Sequence, residues 1–181
     1  MMNKILNVRE MKEKDVKYWL NYWLNSPAEH LVKMGIDLNK KPTRQQLIDS
    51  ISDQLEGSYS HRKAYYLIWM YEDIAIGHTN INKIKYGNQA FMHLHLWYNN
   101  YRKSGLGAEL IKKSLPFYFK NFKLKTLYCE PYALNPAPNK TLERLGFNLV
   151  KTYKTIPGAS NFEQLVKQWK LTKESFVSLS L

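Results

Sequence analysis

Six residues constrain this chain more than any others: Arg102-Lys103-Ser104-Gly105-Leu106-Gly107. They join two segments of different period. Gln89 to Trp97 reads as a strand, whereas Ala108, Ile111, Leu115 and Phe119 recur at three and four and predict a helix running to about Phe122. A strand must therefore turn into a helix through two closely spaced glycines. Glycine at 105 and 107 lets backbone N–H groups approach a ligand with no side chain in the way. The helix N-terminus adds about half a positive charge, which suits a diphosphate. Arg102, Lys103 and Ser104 can add charge-assisted bonds to the same group. Glycines at such a junction also make plain tight turns, and the loop matches neither the P-loop GxxxxGK[ST] nor the dinucleotide GxGxxG.

The remaining periodicities surround this junction with a sheet. Ile5 to Val8 reads as a first strand, and Val16, Trp19, Leu20 and Trp23 place a helix over 14–24. Pro27, Gly35 and Pro42 break residues 25–42 into short helix and loop. Thr43 is an N-cap for a helix over 44–55 that Gly57 ends. Ala64 to Met70, Ile74 to Ile84 and Gln89 to Trp97 follow as strands joined by hairpin-length turns. After the central helix come a strand at Leu127 to Glu130, a Pro- and Asn-rich link, and a helix over 139–145 closed by Gly146. Phe147 to Tyr153 and Phe162 to Leu171 are the closing strands. The order β-α-α-β-β-β-α-β-α-β-β predicts one α/β domain with a mixed sheet over residues 1–171, with 172–181 as a loose tail.

Composition narrows the setting. Hydrophobic content of 44% with 14% aromatics excludes a disordered chain. No apolar run approaches the roughly 20 residues that cross a bilayer, and the N-terminus lacks a signal-peptide core. The single cysteine, Cys129, has no internal disulfide partner. A soluble cytoplasmic protein with no membrane partner is expected. The net charge of +12 comes from scattered lysines and suits a solvated surface, a phosphorylated ligand or nucleic acid. Nucleic acid is disfavoured, because no RNP, zinc-finger or helix-turn-helix pattern is present.

Arg-x-x-Gly-x-Gly after a strand resembles the pyrophosphate loop of the GCN5-related N-acetyltransferase superfamily. A second signature of that superfamily follows in order: Asn135, then the helix Thr141-Leu142-Glu143-Arg144-Leu145 ending in Gly146-Phe147. The clearest resemblance spans residues 64–153. Cys129-Glu130-Pro131 with Asn135 is most similar to the ribosomal-protein N-terminal, siderophore and aminoglycoside acetyltransferase branches. The resemblance implies a mixed, mostly antiparallel sheet of about seven strands, flanked by helices and splayed at the cofactor site. It implies acetyl-CoA as co-substrate, no metal, an amine acceptor and room for a homodimer. On the same resemblance, Arg102, Lys103, Ser104, Gly105, Leu106 and Gly107 would hold the CoA pyrophosphate. Trp97 would meet the pantetheine arm through its backbone, and Asn135 the CoA arm or a water. The positions that often carry a Tyr or a Ser proton donor are Leu142 and Pro138 here. That leaves Asn139, Tyr132 or unassisted departure of the thiolate.

Acyl transfer needs the amine unprotonated, so a general base is sought. Glu130 stands at a strand end, where some relatives carry a catalytic Glu; a plain ion pair is the alternative. His93 and His95 share one strand face, and His93 matches a histidine that faces the acceptor in siderophore-type members. A packed, inert pair is the alternative, and His-x-His finds no third metal ligand. Aromatics in 18–23 and 59–71 are candidates to line an acceptor pocket or to fill the core. The expected function is N-acetyl transfer from acetyl-CoA to a primary amine by direct attack. The rival is a non-catalytic CoA-binding or basic nucleic-acid-binding protein on the same fold.

Overall fold

The computed structural model describes residues 5–52, 54–102 and 104–179. Seven strands form one sheet: β1 (Leu6–Glu10), β2 (Tyr65–Tyr71), β3 (Ile74–Lys85), β4 (Gln89–Leu96), β5 (Thr126–Cys129), β6 (Asn148–Thr155) and β7 (Gln164–Thr172). Their order is β1-β2-β3-β4-β5-β7-β6. Only β4 and β5 run parallel, and the other pairs are antiparallel.

Strand β2 shows why helices must cover both faces. Its sequence YYLIWMY is apolar at every position, and side chains alternate across a strand. Tyr65, Leu67 and Trp69 enter one core with α4 (Leu106–Asn121) and α5 (Pro136–Arg144). Ile68, flanked by Tyr66 and Met70, enters a second core with α1 (Glu13–Asn25) and α3 (Arg44–Ser52). A short helix, α2 (Ala28–Lys33), follows α1. Arg9 fastens α1 to β1 by gripping Asp15 at 2.6 and 2.7 Å, and the Asp15 carboxylate also accepts the Lys12 N–H.

Two boundaries depart from expectation. Helix α5 starts at Pro136 and takes in Pro138, because first-turn residues have no intrahelical use for an N–H and tolerate proline. The segment after 171 is ordered where a loose tail was expected. Strand β7 runs on to Thr172, whose hydroxyl accepts the Ser175 N–H and opens α6 (Lys173–Ser178). The Phe176 ring stacks on Phe119 of α4 with centroids 4.6 Å apart.

The feature that positions the site is a break in the sheet. Pairing of β4 with β5 covers Gln89↔Thr126 through Met92↔Cys129 only. Beyond it β4 continues beside β3, while the chain after Cys129 turns away through Pro131 and Tyr132, which bridges Val166. The two central strands thus splay apart.

Candidate active site

The junction after β4 forms one side of this gap. Gly105 is the N-cap of α4 in the left-handed region at φ 80°, and a Cβ there would meet nothing within 4 Å among the described residues. Backbone conformation, not crowding, asks for glycine. At Gly107 a Cβ would make only an ordinary 3.8 Å contact with Leu96. The space above both glycines is therefore open. No side chain caps α4, so its first N–H groups point at that space. Leu106 is buried and anchors the turn, and the Ser104 hydroxyl donates to the Tyr101 carbonyl at 2.7 Å. Lys103 lies outside the described residues.

Arg102 faces inward. Its Nη2 donates to the Leu96 carbonyl at 2.8 Å and approaches His30 Nε2 at 3.1 Å, and its Nη1 meets Asn99 Oδ1. The guanidinium therefore holds the loop against the end of β4. Trp97 is similarly committed. Its N–H donates to the Ile76 carbonyl at 2.9 Å, and its indole N–H donates to His78 Nδ1 at 2.8 Å. Backbone groups of adjacent residues in an antiparallel strand point to opposite sides. With Trp97 bonded toward β3, the groups that face the splay are those of Leu94 and Leu96.

On the α1 side, the splay opens into a cleft of about 340 Å³. His93, His95, Glu130, Tyr132 and Asn135 all line it. Glu130 Oε1 accepts from the Tyr153 hydroxyl at 2.5 Å and from Gln168 Nε2 at 2.6 Å, so two neighbouring strands fix the carboxylate. Burial and the bond to Glu130 push the Tyr153 hydroxyl up to about 12.

The two histidines on this face are held by different partners. His93 Nε2 pairs with Asn82 Oδ1 at 3.1 Å; with that oxygen as acceptor, Nε2 carries the hydrogen and Nδ1 keeps a lone pair. His95 Nδ1 lies 3.2 Å from the Tyr22 hydroxyl, which also lies 3.0 Å from His30 Nε2. Arg102 can only donate to His30, and the Tyr22 hydroxyl also donates to Met34 Sδ at 3.1 Å, so Tyr22 ties His30, Met34 and His95 together at one oxygen. Burial, reinforced by the Lys83 charge, lowers His93 to about 4, and burial beside His78 takes His95 well below its ordinary value. Both rings are neutral at pH 7. The stack of His78 on His95, with centroids 4.5 Å apart, favours that state.

The remaining candidates divide. Asn135 caps α5 with its side chain free of protein bonds among the described residues, at the cleft edge. Asn139 is buried and fully engaged. It donates to the Tyr132 and Asn135 carbonyls and accepts from the Trp169 indole, so its amide braces the loop beneath Asn135. Leu142 is buried, whereas Pro138 lines the cleft. Burial raises the Cys129 thiol to about 12, which suits core packing rather than nucleophilic attack.

Several residues that shape the site were not singled out from sequence. Tyr22, His30 and Asn82 hold the histidine rings, and Tyr153 and Gln168 hold Glu130. Gly35 and Gln164 build a wall. The Gly35 carbonyl accepts from Asn161 Nδ2 at 2.9 Å and Gln164 Nε2 at 3.0 Å, and Ile36 bridges Asn161. Tyr22 belonged to the aromatic run 18–23, and the left-handed Gly35 was visible only as a loop glycine.

No group of three or more His, Cys, Asp or Glu placed to hold a metal occurs among the described residues, and no helix there is long and apolar enough to cross a membrane. No curated protein matches the chain in sequence. Solved structures match it in shape. The spermidine N-acetyltransferase of Vibrio cholerae, in complex with CoA and spermine, is 15% identical at TM-score 0.77, covering 95% of this chain and 98% of that one. RimL, a ribosomal alpha-N-protein acetyltransferase in complex with coenzyme A, is 13% identical at TM-score 0.76, over 97% and 98%. An aminoglycoside acetyltransferase in complex with coenzyme A is 15% identical at TM-score 0.74, over 98% and 100%. The family description "Acetyltransferase (GNAT) domain" matches residues 6–148. With both signatures, the splayed sheet and this match in hand, the chain belongs to the GNAT acetyltransferase family, and the expectation of an acyl-CoA-dependent N-acetyltransferase stands with it.

Proposed function

We propose that the protein transfers an acetyl group from acetyl-CoA to a primary amine that enters the cleft on the α1 side. One observation carries this reading: the gap between β4 and β5 has a glycine-built helix N-terminus at one end and Glu130 with His93 at the other.

The CoA pyrophosphate would sit on the open N–H groups of the first turn of α4, where Gly105 and Gly107 leave room. The pantetheine arm would lie in the splay as a surrogate strand against Leu94 and Leu96. The thioester carbonyl then meets a backbone N–H of that edge, which is placed to take up charge as the tetrahedral intermediate forms. Asn135, at the cleft edge, can hold the arm or an ordered water.

The amine nitrogen attacks the carbonyl carbon and the C–S bond breaks as the intermediate collapses. Glu130 is the base in this scheme. Its Oε1 is held by Tyr153 and Gln168, which leaves Oε2 to take the amine proton through water. His93, lowered to about 4, is a weak base but a good neutral acceptor, and its Nδ1 orients the amine N–H. The Tyr132 hydroxyl lines the cleft and can protonate the leaving sulfur. A CoA thiol of ordinary pKa, about 8.5, also departs as thiolate without help.

Calorimetric titration with acetyl-CoA tests the first half of this scheme, beside desulfo-CoA and adenosine 3′,5′-diphosphate. Saturable binding that Gly105→Val abolishes is the expected result. Failure of all three ligands to bind would sink the reading.

A further inference from the structure

The cleft on the α1 side carries information about its acceptor that the fold does not. Its walls are largely carbon: Trp19 and Trp23 from α1, Met34 and Ile36 from the loop after α2, and Phe91 from β4. Of all its lining residues only Lys83 and Glu130 bear a formal charge, and these oppose one another. The Glu130 carboxylate already accepts two hydrogen bonds on Oε1, and His93 and His95 are neutral. A polyamine carries two or more ammonium groups that must each be met when removed from water. This cleft offers one carboxylate and one lysine, in a chain of net charge +12.

The second constraint is closure. The loop after α2 and the loop between β6 and β7 are fastened by the Ile36–Asn161 bridge and by the Asp37 N–H to the Ser160 carbonyl at 2.9 Å. The Gly35 carbonyl accepts two side-chain amides at the same place. Gly35 sits at φ 82°, and a Cβ there would lie 2.1 Å from Gln164 Oε1, so the Gln164 side chain at the start of β7 fills the space over Gly35. They form one continuous wall opposite β4. At about 340 Å³, part of which the acetyl group must share, the space is at the small end for small-molecule sites.

Resting on the acyltransferase reading above, we propose that the acceptor is a compact monoamine with an apolar or aromatic body, not a polycation and not a segment of a folded protein. Trp23, backed edge-to-face at 6.5 Å by the buried Trp19, gives such a body an aromatic surface to pack on. The amine would point past His93 to the splay. Its body would fill the carbon-walled part of the cleft, where burial supplies the binding energy and charge complementarity supplies none.

The test is CoA release from acetyl-CoA with 2-phenylethylamine, tyramine and hexylamine, against spermidine, kanamycin and a short peptide with a free N-terminus. Binding of acetyl-CoA is measured first by calorimetry. The expected result is a kcat/KM for the best monoamine at least about ten-fold above each of the other three, the discrimination a shaped apolar pocket can supply. Trp23→Leu is expected to raise the monoamine KM several-fold with the acetyl-CoA Kd unchanged. Binding of acetyl-CoA with spermidine, kanamycin or the peptide as the best acceptor would overturn this inference and leave the acyltransferase reading intact. Binding without turnover of any monoamine would overturn it equally. Absence of acetyl-CoA binding would remove the parent reading, and this one with it.

Discussion

The two banks of the splay are built from different materials. On the α4 side the site is backbone: a left-handed Gly105, an open Gly107 and the uncapped first turn of a helix. On the α1 side it is side chain. Glu130, His93 and His95 are each held in one orientation by partners from other strands and helices. A backbone bank binds any ligand with the right anionic group, because every chain has the same N–H. A side-chain bank is particular, because each polar atom has been assigned as donor or acceptor before substrate arrives. Within one fold, this division lets the cofactor end stay constant while the acceptor end varies.

Substitutions should separate the banks. The largest effect is expected from Gly105→Val. A β-branched residue is strained at φ 80° and blocks approach to the helix N-terminus, so acetyl-CoA binding should fall below calorimetric detection. The histidine network should survive, visible as unchanged histidine ring resonances by NMR.

Acid should act on the other bank. His93 is lowered from 6.5 to about 4 and His78 to about 3, both chiefly by burial. The unfolded chain therefore binds more protons than the folded one between those values. Stability is full above pH 6.5 and is lost as pH falls toward 4, on the order of 3 kcal/mol for His93 alone. Thermal melts across that range should show the fall, and His93→Gln should reduce it without removing it, since His78, His95 and His30 are lowered as well.

Glu130→Gln should lower kcat by about 100-fold, the scale of a lost general base. The acetyl-CoA Kd should hold, since this side chain faces the acceptor. A matching loss of cofactor affinity would erase the distinction between the banks. The smallest effect is expected from Gly35→Ala. The new methyl would push aside the far end of the Gln164 side chain and loosen the wall, raising the acceptor KM about three-fold. Cofactor binding should not change.

The same division explains what could be read from the chain. Backbone sites leave a local mark, so Gly105-Leu106-Gly107 and the strand and helix around it stood out within a few residues. The strands were legible because both faces of β2 and β3 are packed, and alternation and apolar runs follow from that. On the other bank Glu130, His93 and His95 could be picked out, but what holds them left no local mark. Tyr22 reaches His95 across 73 positions, Gln168 reaches Glu130 across 38 and Arg102 reaches His30 across 72. Spacing along the chain carries no trace of such pairings. That the Trp97 N–H turns toward β3 could not be read either, because hydrogen-bond direction in a strand depends on its partner, which sequence does not name. The ordered end of the chain was missed because Phe176 gains its place from Phe119, on a helix far upstream.

The stitch between Gly35 and the loop at Asn161 and Gln164 joins residues 126 and 129 positions apart. Closing so long a loop yields nothing until the strands between are paired, so these bonds belong to the last stage of folding. By the same reasoning they are among the first to open. Amide hydrogens at Asp37 and Phe162, which cross between the two loops, should exchange far sooner than those of β3, and the wall of the cleft can breathe while the sheet and the turn at Gly105 stay closed.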